Sequence, residues 1–184
     1  MTRPDRTLTE ILSEFGIKSK DWDWLIVSDG SGSTWQRSAG WCGILIHQHS
    51  ARRHVFSGSL SYGTSNLAEI LGVFHSIWYL SDQERQPSWQ QILVLTDSQY
   101  VAQMIEKPSE RVKSHAALWK TIWAAKRDLL NIKAQWIPRA SIALNQLADA
   151  VAGETRLRQK NVLQEAIEKL NFDVTKLSQI NPKS

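Results

Sequence analysis

Cysteine is scarce in this chain, and its scarcity excludes one class of protein. Cys42 is the single cysteine in 184 residues, so no internal disulfide can form and a disulfide-built scaffold is excluded. It lies in the apolar run 41–46, which predicts a buried thiol in a protein of a reducing compartment.

Long apolar runs are missing as well. No run approaches the roughly 20 apolar residues that cross a bilayer. The start, MTRPDRTLTE, lacks the apolar segment of a signal peptide, so we expect a protein of the cytoplasm. Charge of one sign is not in large excess either. The surplus of 22 Lys and Arg over 18 Asp and Glu is +4, which is too small to identify a nucleic-acid partner.

The chain does have enough apolar content for one core. With 42% hydrophobic residues, it is expected to form a single globular domain with tails. We predict an extension over 1–21 with a short helix, a main domain over 22–158, and a second extension over 159–184 that contains the amphipathic segment VLQEAIEKL. The extensions could dimerise the protein, bind a protein partner, or cover edges of a sheet.

The apolar pattern of the main domain changes from strand to helix. Three segments, WLIVSDGSG, WCGILIH and RRHVFSGSL, predict an antiparallel meander. A helix over 66–80, the strand LVLT with a helix capped by Ser98, a helix over about 114–130, the strand IKAQWI and a helix over about 144–157 follow. This order predicts a mixed α/β sheet with helices on both faces.

Acidic residues lie on four of these predicted elements. Asp29 and Asp97 end strands, whereas Glu69 and Asp149 lie in helices. Taken alone, such an acid is commonly a turn residue or a helix cap, and this interpretation stays open. Carboxylates collected beside a core would lose solvation and repel one another, so folding alone gives no reason to gather them. A divalent metal such as Mg²⁺, which prefers oxygen ligands, supplies a reason.

The segments around these acids resemble the motifs of a known family. SDGSG, SNLAE, LTDSQYV and NQLAD occur in this order, and together they are similar to the four acidic motifs of type 1 ribonuclease H, over about 25–156. The resemblance implies a ribonuclease H-like fold whose five-stranded sheet has three antiparallel strands and then two parallel ones. It also implies a metal-dependent endonuclease that cuts the RNA strand of an RNA/DNA hybrid, leaving 5′-phosphate and 3′-hydroxyl ends.

The resemblance further implies roles for individual residues. The catalytic and metal-binding acids would be Asp29, Glu69, Asp97 and Asp149, which would hold two Mg²⁺ ions, with Mn²⁺ as a substitute. Substrate-binding candidates are Gly30, Ser31, Thr64, Asn66, Gln99 and Arg139. Thr64 matches a residue that holds a DNA-strand phosphate, and short amides and hydroxyls suit the RNA 2′-hydroxyl. Glycine at 30 and 32 permits close backbone approach, although a tight hairpin turn would also require it.

The chain departs from the family pattern before its last acid. Many members carry a His there, but the loop WIPRASIALNQLAD has none and resembles the Pro-Arg loop of the plant-like and archaeal branch. Arg139 could hold a phosphate or be a solvated loop cation, but it cannot act as a general base. The Lys-rich and Trp-rich handle of many bacterial members is also missing. Other cations would have to replace it, with the candidates Arg52, Arg53, Lys107, Arg111 and Lys113.

The tryptophans divide by predicted element. Six lie in predicted strands or helices and are expected in the core, namely Trp24, Trp41, Trp78, Trp119, Trp123 and Trp136. Three fall in predicted loops, namely Trp22, Trp35 and Trp89, and Trp35 is a candidate to stack near the substrate.

Three functional classes therefore remain open. The first is the hybrid-cutting nuclease. The second is another metal nuclease or strand-transfer enzyme of the same fold, such as a junction resolvase or integrase, whose lineages share the acids but not usually the TDSQYV and NQLAD pair. The third is a non-catalytic nucleic-acid-binding module. An intact set of four acids argues against the third class, because a protein that only binds anions gains nothing from them.

Overall fold

The computed structural model describes residues 7–33, 35, 37–82, 89–128 and 131–157. The amphipathic segment predicted within the C-terminal extension lies outside these residues. Across the described part of the chain, no helix has the length and apolar character needed to span a bilayer.

The described residues form one five-stranded mixed sheet. Its strands are β1 (Trp24–Gly32), β2 (Ala39–His47), β3 (Arg53–Leu60), β4 (Gln91–Thr96) and β5 (Asn131–Trp136). They lie in the order β3-β2-β1-β4-β5. β1, β2 and β3 pair antiparallel, whereas β4 pairs parallel with both β1 and β5. The predicted sheet, three antiparallel strands followed by two parallel ones, is confirmed.

Helices cover both faces of this sheet, as predicted. They are α1 (Leu8–Ser13), α2 (Ser65–Asp82), α3 (Gln99–Glu106), α4 (Ala116–Asp128) and α5 (Ala143–Arg156). Alternate residues of a strand point to opposite faces. Leu25 and Val27 of β1 accordingly belong to the buried cluster that contains α1 and α5. Trp24 and Ile26 belong to the cluster formed with α2, α3 and α4.

The N-terminal helix α1 packs onto the domain. The Thr7 hydroxyl accepts a hydrogen bond from the Glu10 N–H, and the Glu10 carboxylate accepts one from the Thr7 N–H, which forms the predicted capping box. Leu8 and Leu12 are buried in the cluster that contains α5. The Gln135 amide of the edge strand β5 donates to the Phe15 carbonyl at 2.8 Å. Part of the predicted extension therefore covers the sheet, while the division of the chain at residue 21 stays a prediction.

The environment of two predicted core tryptophans differs from the expectation. Trp24, Trp41 and Trp119 are buried, but Trp78 and Trp136 are 53% and 43% exposed, so the prediction is wrong for these two. Trp78 follows the buried Ile77 on α2, and a step of one residue turns a helical side chain away from the core. β5 is an edge strand, and its last residue Trp136 is consequently less covered. Cys42 is buried as predicted.

Candidate active site

Asp29 and Asp97 lie side by side on neighbouring parallel strands: Asp97 follows the end of β4, whereas β1 runs on to Gly32, so Asp29 lies within its strand and does not end it as expected. The β1–β4 register pairs Val27 with Leu95, and continuing it by two residues brings Asp29 level with Asp97. Alternation along β1 turns Asp29, like Leu25 and Val27, toward the face covered by α5. The Ser98 hydroxyl caps α3 by accepting from the Val101 N–H, so Asp97 is fixed between a strand end and a helix start. The parallel register of β1 and β4 thus places these two acids together.

Glu69 joins them because α2 lies directly against the end of β1. A Cβ on Gly30 would collide with the Glu69 backbone N, and a Cβ on Gly32 would stand 2.6 Å from the Ser65 N. Both glycines lie within β1, so helix packing requires their small size, and the hairpin turn that they could have served is absent at these positions.

Asp149 completes the group through a contact with Arg139. The Arg139 Nη2 donates to the Asp149 Oδ1 at 2.8 Å. The Arg139 Nε lies 3.9 Å from the Asp97 Oδ2, so one guanidinium is shared between two acids. Asp149 projects from α5, the helix on the face toward which Asp29 points. The structure therefore brings together all four acids and Arg139.

Burial makes the charged form of Asp29 unfavourable. Asp29 is 2% exposed; its Oδ1 accepts from its own neighbour, the Gly30 N–H, and its Oδ2 has no hydrogen-bond partner. Loss of solvation raises its pKa to about 8, with smaller contributions from the charges of Asp97 and Asp149. A buried carboxylate oxygen without a partner indicates a position suited to a cation.

Two further acids of the group, Glu69 and Asp97, are perturbed in the same direction as Asp29. Burial is the main cause of the raised pKa of Glu69, and the Asp97 charge adds to the rise while the Ser98 hydroxyl opposes it. Burial also raises the pKa of Asp97, against the opposing charge of Arg139. Carboxyl pKa values raised mainly by burial and further by neighbouring acids are typical of acids that need a counter-ion.

The arrangement fits hard divalent ions in the type of its ligands, which are four carboxylates at one sheet edge. Their side chains do not surround a common point at metal-binding distances. Within the described ranges, no three His, Cys, Asp or Glu side chains are close enough to hold a metal ion together. The guanidinium of Arg139 contacts two of the four acids. Which residues would coordinate a metal therefore stays a prediction.

The predicted substrate-binding residues surround the acids. Gly30 and Ser31 follow Asp29 on β1; Thr64 and Asn66 are exposed at the start of α2; and Gln99 is exposed at the first position of α3. The exposed side chains thus rim the acidic edge, and their contact with substrate stays a prediction.

Three further side chains support the site, and none had been given a role from the sequence. The Trp136 Nε1 donates to the Asp97 carbonyl at 3.0 Å. The Arg156 Nε donates to the Ser31 Oγ at 3.0 Å. The Asn145 Oδ1 accepts from the Ala140 N–H at 2.6 Å and so fixes the loop that carries Arg139. Asn145 belongs to the motif NQLAD, so the sequence offered a reason to consider it, whereas the contacts of Trp136 and Arg156 depend on tertiary structure.

Two candidate cations for gripping the DNA strand lie far from the acids. Arg53 pairs with Ile46, and Ile46 pairs with Leu25, so Arg53 stands beside the start of β1. Asp29 is four residues further along this strand, a separation of about 13 Å. Arg52 and Arg53 therefore lie toward the opposite end of the sheet.

This mixed sheet, with its acids gathered beside the carboxyl ends of β1 and β4, defines the ribonuclease H-like class of nucleic-acid enzymes. A model of the RNase H family matches residues 22–156. The chain belongs to the RNase H family. A search of curated proteins finds no match.

Solved structures agree with this assignment. The N-terminal RNase H domain of a Mycobacterium tuberculosis protein is 21% identical, with a TM-score of 0.59, and the match covers 78% of this chain and 97% of that one. LC11-RNase H1, solved in complex with an RNA/DNA hybrid, is 17% identical, with a TM-score of 0.63 and coverage of 73% and 97%. RNase H1 from Halobacterium salinarum is 19% identical, with a TM-score of 0.52 and coverage of 72% and 96%. At these identities the likeness concerns the fold.

Proposed function

We propose that the protein is an endonuclease that hydrolyses the RNA strand of RNA/DNA hybrids by a two-Mg²⁺ mechanism, leaving 5′-phosphate and 3′-hydroxyl ends. One observation carries the proposal: in a chain of the RNase H family, four carboxylates lie at one sheet edge, and one of them, Asp29, is buried with an Oδ2 that has no hydrogen-bond partner. A cytoplasmic location and the ability of Mn²⁺ to replace Mg²⁺ belong to the same proposal.

The four acids would hold the metal ions. Two Mg²⁺ ions held there would supply activation of a water nucleophile and stabilisation of the leaving oxygen. Asp29 is the best candidate to bridge them, because it is the most buried of the acids and Asp97 and Asp149 both act on its charge. β1 and β4 hold Asp29 and Asp97 on rigid backbone, which keeps their oxygens oriented through the reaction.

Polar groups beside the acids would recognise the RNA strand. The Ser31 hydroxyl accepts from Arg156, so its own hydrogen is left to donate to a ligand. Asn66 and Gln99 offer amides on the adjoining helix starts. Gly30 adds backbone polar groups that a ligand can approach without obstruction by a side chain. Amides and hydroxyls placed here could bond the 2′-hydroxyl, the group that distinguishes RNA from DNA.

A pocket between the end of β1 and the start of α2 suits a phosphate of the DNA strand. It has a volume of about 350 Å³ and is lined by Gly32, Arg37, Tyr62 and Thr64, among others. The Arg37 Nη1 donates to the Tyr62 hydroxyl at 3.1 Å, and its guanidinium lies 5.5 Å from the Tyr62 ring centroid. The Thr64 Oγ1 accepts from the Leu67 N–H, which leaves the Thr64 hydrogen free to donate to an anion.

Cleavage of defined substrates tests the proposal. The full chain would be incubated with Mg²⁺ and end-labelled RNA/DNA hybrid, RNA duplex, DNA duplex or a four-way junction, alongside Asp97→Asn and the exposed control Asp128→Asn. We expect cleavage of the hybrid's RNA strand alone, lost in Asp97→Asn and kept in Asp128→Asn.

Other outcomes would replace the proposal. Cleavage of the junction would assign the protein to the resolvases. Hybrid binding without metal-dependent cleavage of any substrate would make it a binding module.

A further inference from the structure

Arg139 occupies the position of a counter-ion for two of the candidate metal ligands. Its Nη2 hydrogen-bonds the Asp149 Oδ1 at 2.8 Å, and its Nε is 3.9 Å from the Asp97 Oδ2. Asp97 is 11% exposed and Asp149 is 47% exposed, so the guanidinium reaches from solvent into the edge of the site. It supplies positive charge between two carboxylates that otherwise repel each other.

The backbone that carries Arg139 is held in place. The next residue, Ala140, has a left-handed φ of 55°. Its N–H donates to the Asn145 Oδ1 at 2.6 Å, and its carbonyl accepts from the Gln146 Nε2 at 2.9 Å. Both backbone polar groups of Ala140 are therefore bonded by α5, the helix that also carries Asp149. The loop consequently presents Arg139 to Asp149 from a fixed point.

The side chain itself can leave. It is 72% exposed, so rotation about its own bonds takes the guanidinium into solvent without uncovering any core residue. A fixed backbone with a free side chain allows two positions, one on the acids and one toward a ligand above them.

We propose that Arg139 and a divalent metal ion are alternative partners of Asp97 and Asp149, so that metal loading releases the guanidinium to bind a substrate phosphate. This inference rests on the proposed function. A guanidinium directs its N–H groups at the oxygen lone pairs that a metal would use, and it repels a divalent cation at the same place. The released guanidinium would not remain without a partner, because it is well suited to bind a phosphate of the substrate.

The exchange predicts that removing the charge of Arg139 strengthens metal binding. Mg²⁺ alone would be titrated calorimetrically into the full-length protein, Arg139→Gln, Arg139→Lys and Arg127→Gln. Arg127 is a matched control, because it is an exposed arginine that also pairs with a carboxylate, that of Asp128. We expect Arg139→Gln to bind Mg²⁺ about two- to fivefold more tightly, a gain typical of releasing one exposed ion pair. Arg139→Lys and Arg127→Gln should stay near the wild-type affinity.

Thermal unfolding supplies a second readout that does not depend on activity. In EDTA, Arg139→Gln should melt at a lower temperature than the wild type, because the acids lose their cation. Saturating Mg²⁺ should remove this difference. Equal or weaker Mg²⁺ binding by Arg139→Gln, with hybrid cleavage by the wild type intact, overturns the exchange alone. If neither protein binds Mg²⁺, the exchange and the two-metal mechanism are both wrong.

Discussion

Replacing Asp29 by Asn should stabilise the metal-free protein while abolishing cleavage of the hybrid. Asn has nearly the same shape and can still accept the Gly30 N–H through its Oδ1. Its amide group would stand where the unpartnered Asp29 Oδ2 is now buried, and it could donate toward the neighbouring acids. The substitution thus removes a carboxyl group that is unfavourable to ionise when buried, with little change in packing.

The size of the effect follows from the raised pKa of Asp29. In the folded protein this pKa is about 8, against 3.8 as the ordinary value. Between these values the folded state binds a proton that the unfolded state has lost, so stability is full below pH 4 and falls as pH rises toward 8. At pH 7 the full penalty is about 4 kcal/mol. Movement of the carboxyl toward water lowers it, so we expect Asp29→Asn to gain about 2–4 kcal/mol.

Urea unfolding in EDTA at pH 4, 7 and 8 measures this gain. The free energy of unfolding of the wild type should fall from pH 4 to pH 8, whereas that of Asp29→Asn should not show this fall. The two proteins should have nearly the same stability at pH 4. At pH 7 the melting temperature should rise by about 5–15 °C. The exposed control Asp128→Asn should show no such gain. A pH-independent difference, or a less stable Asp29→Asn at pH 8, would refute the argument that burial of this charge opposes folding.

Three further predictions test the metal site, the helix packing and the phosphate pocket. Since Asp29 is largely protonated at pH 7, Mg²⁺ binding should release close to one proton per site. The released proton would make the calorimetric heat of binding depend on the ionisation enthalpy of the buffer. Identical heats in all buffers would contradict this prediction. Gly30→Ala should destabilise the fold by about 1–3 kcal/mol in urea unfolding, because its Cβ would meet the Glu69 backbone; unchanged stability would show that α2 can move aside. Arg37→Gln should weaken hybrid binding and reduce its salt slope by about one, measured by anisotropy with Asp97→Asn as the uncleaving background; an unchanged slope would exclude a phosphate contact.

Some of the site could be placed from the sequence because it depends on local patterns. Asp29 and Asp97 each follow a run of apolar residues on two strands that prove to be parallel neighbours, so their meeting required only the correct topology and register. The Ser98 cap and the Thr7 capping box were recognisable for the same reason.

Other parts depend on contacts between distant elements. The pairing of Arg139 with Asp149 requires the left-handed φ of Ala140 and its bonds to Asn145 and Gln146, which no periodic pattern encodes. Trp22 shows the same limit. It follows a 3-10 turn over Ser19–Asp21, and its sequence context predicts a loop residue. The structure nevertheless leaves it only 3% exposed, in a buried cluster with Leu8 and Leu12 of α1.

The position of α1 also has a consequence for the order of folding. Leu8 and Leu12 share a buried cluster with Leu147 and Val151 of α5. These leucines of α1 therefore cannot complete their contacts until residues more than a hundred positions later have been synthesised. Until α5 emerges from the ribosome, the apolar face of α1 has only part of its partners. Contacts of such long sequence separation slow folding and expose apolar surface in the nascent chain.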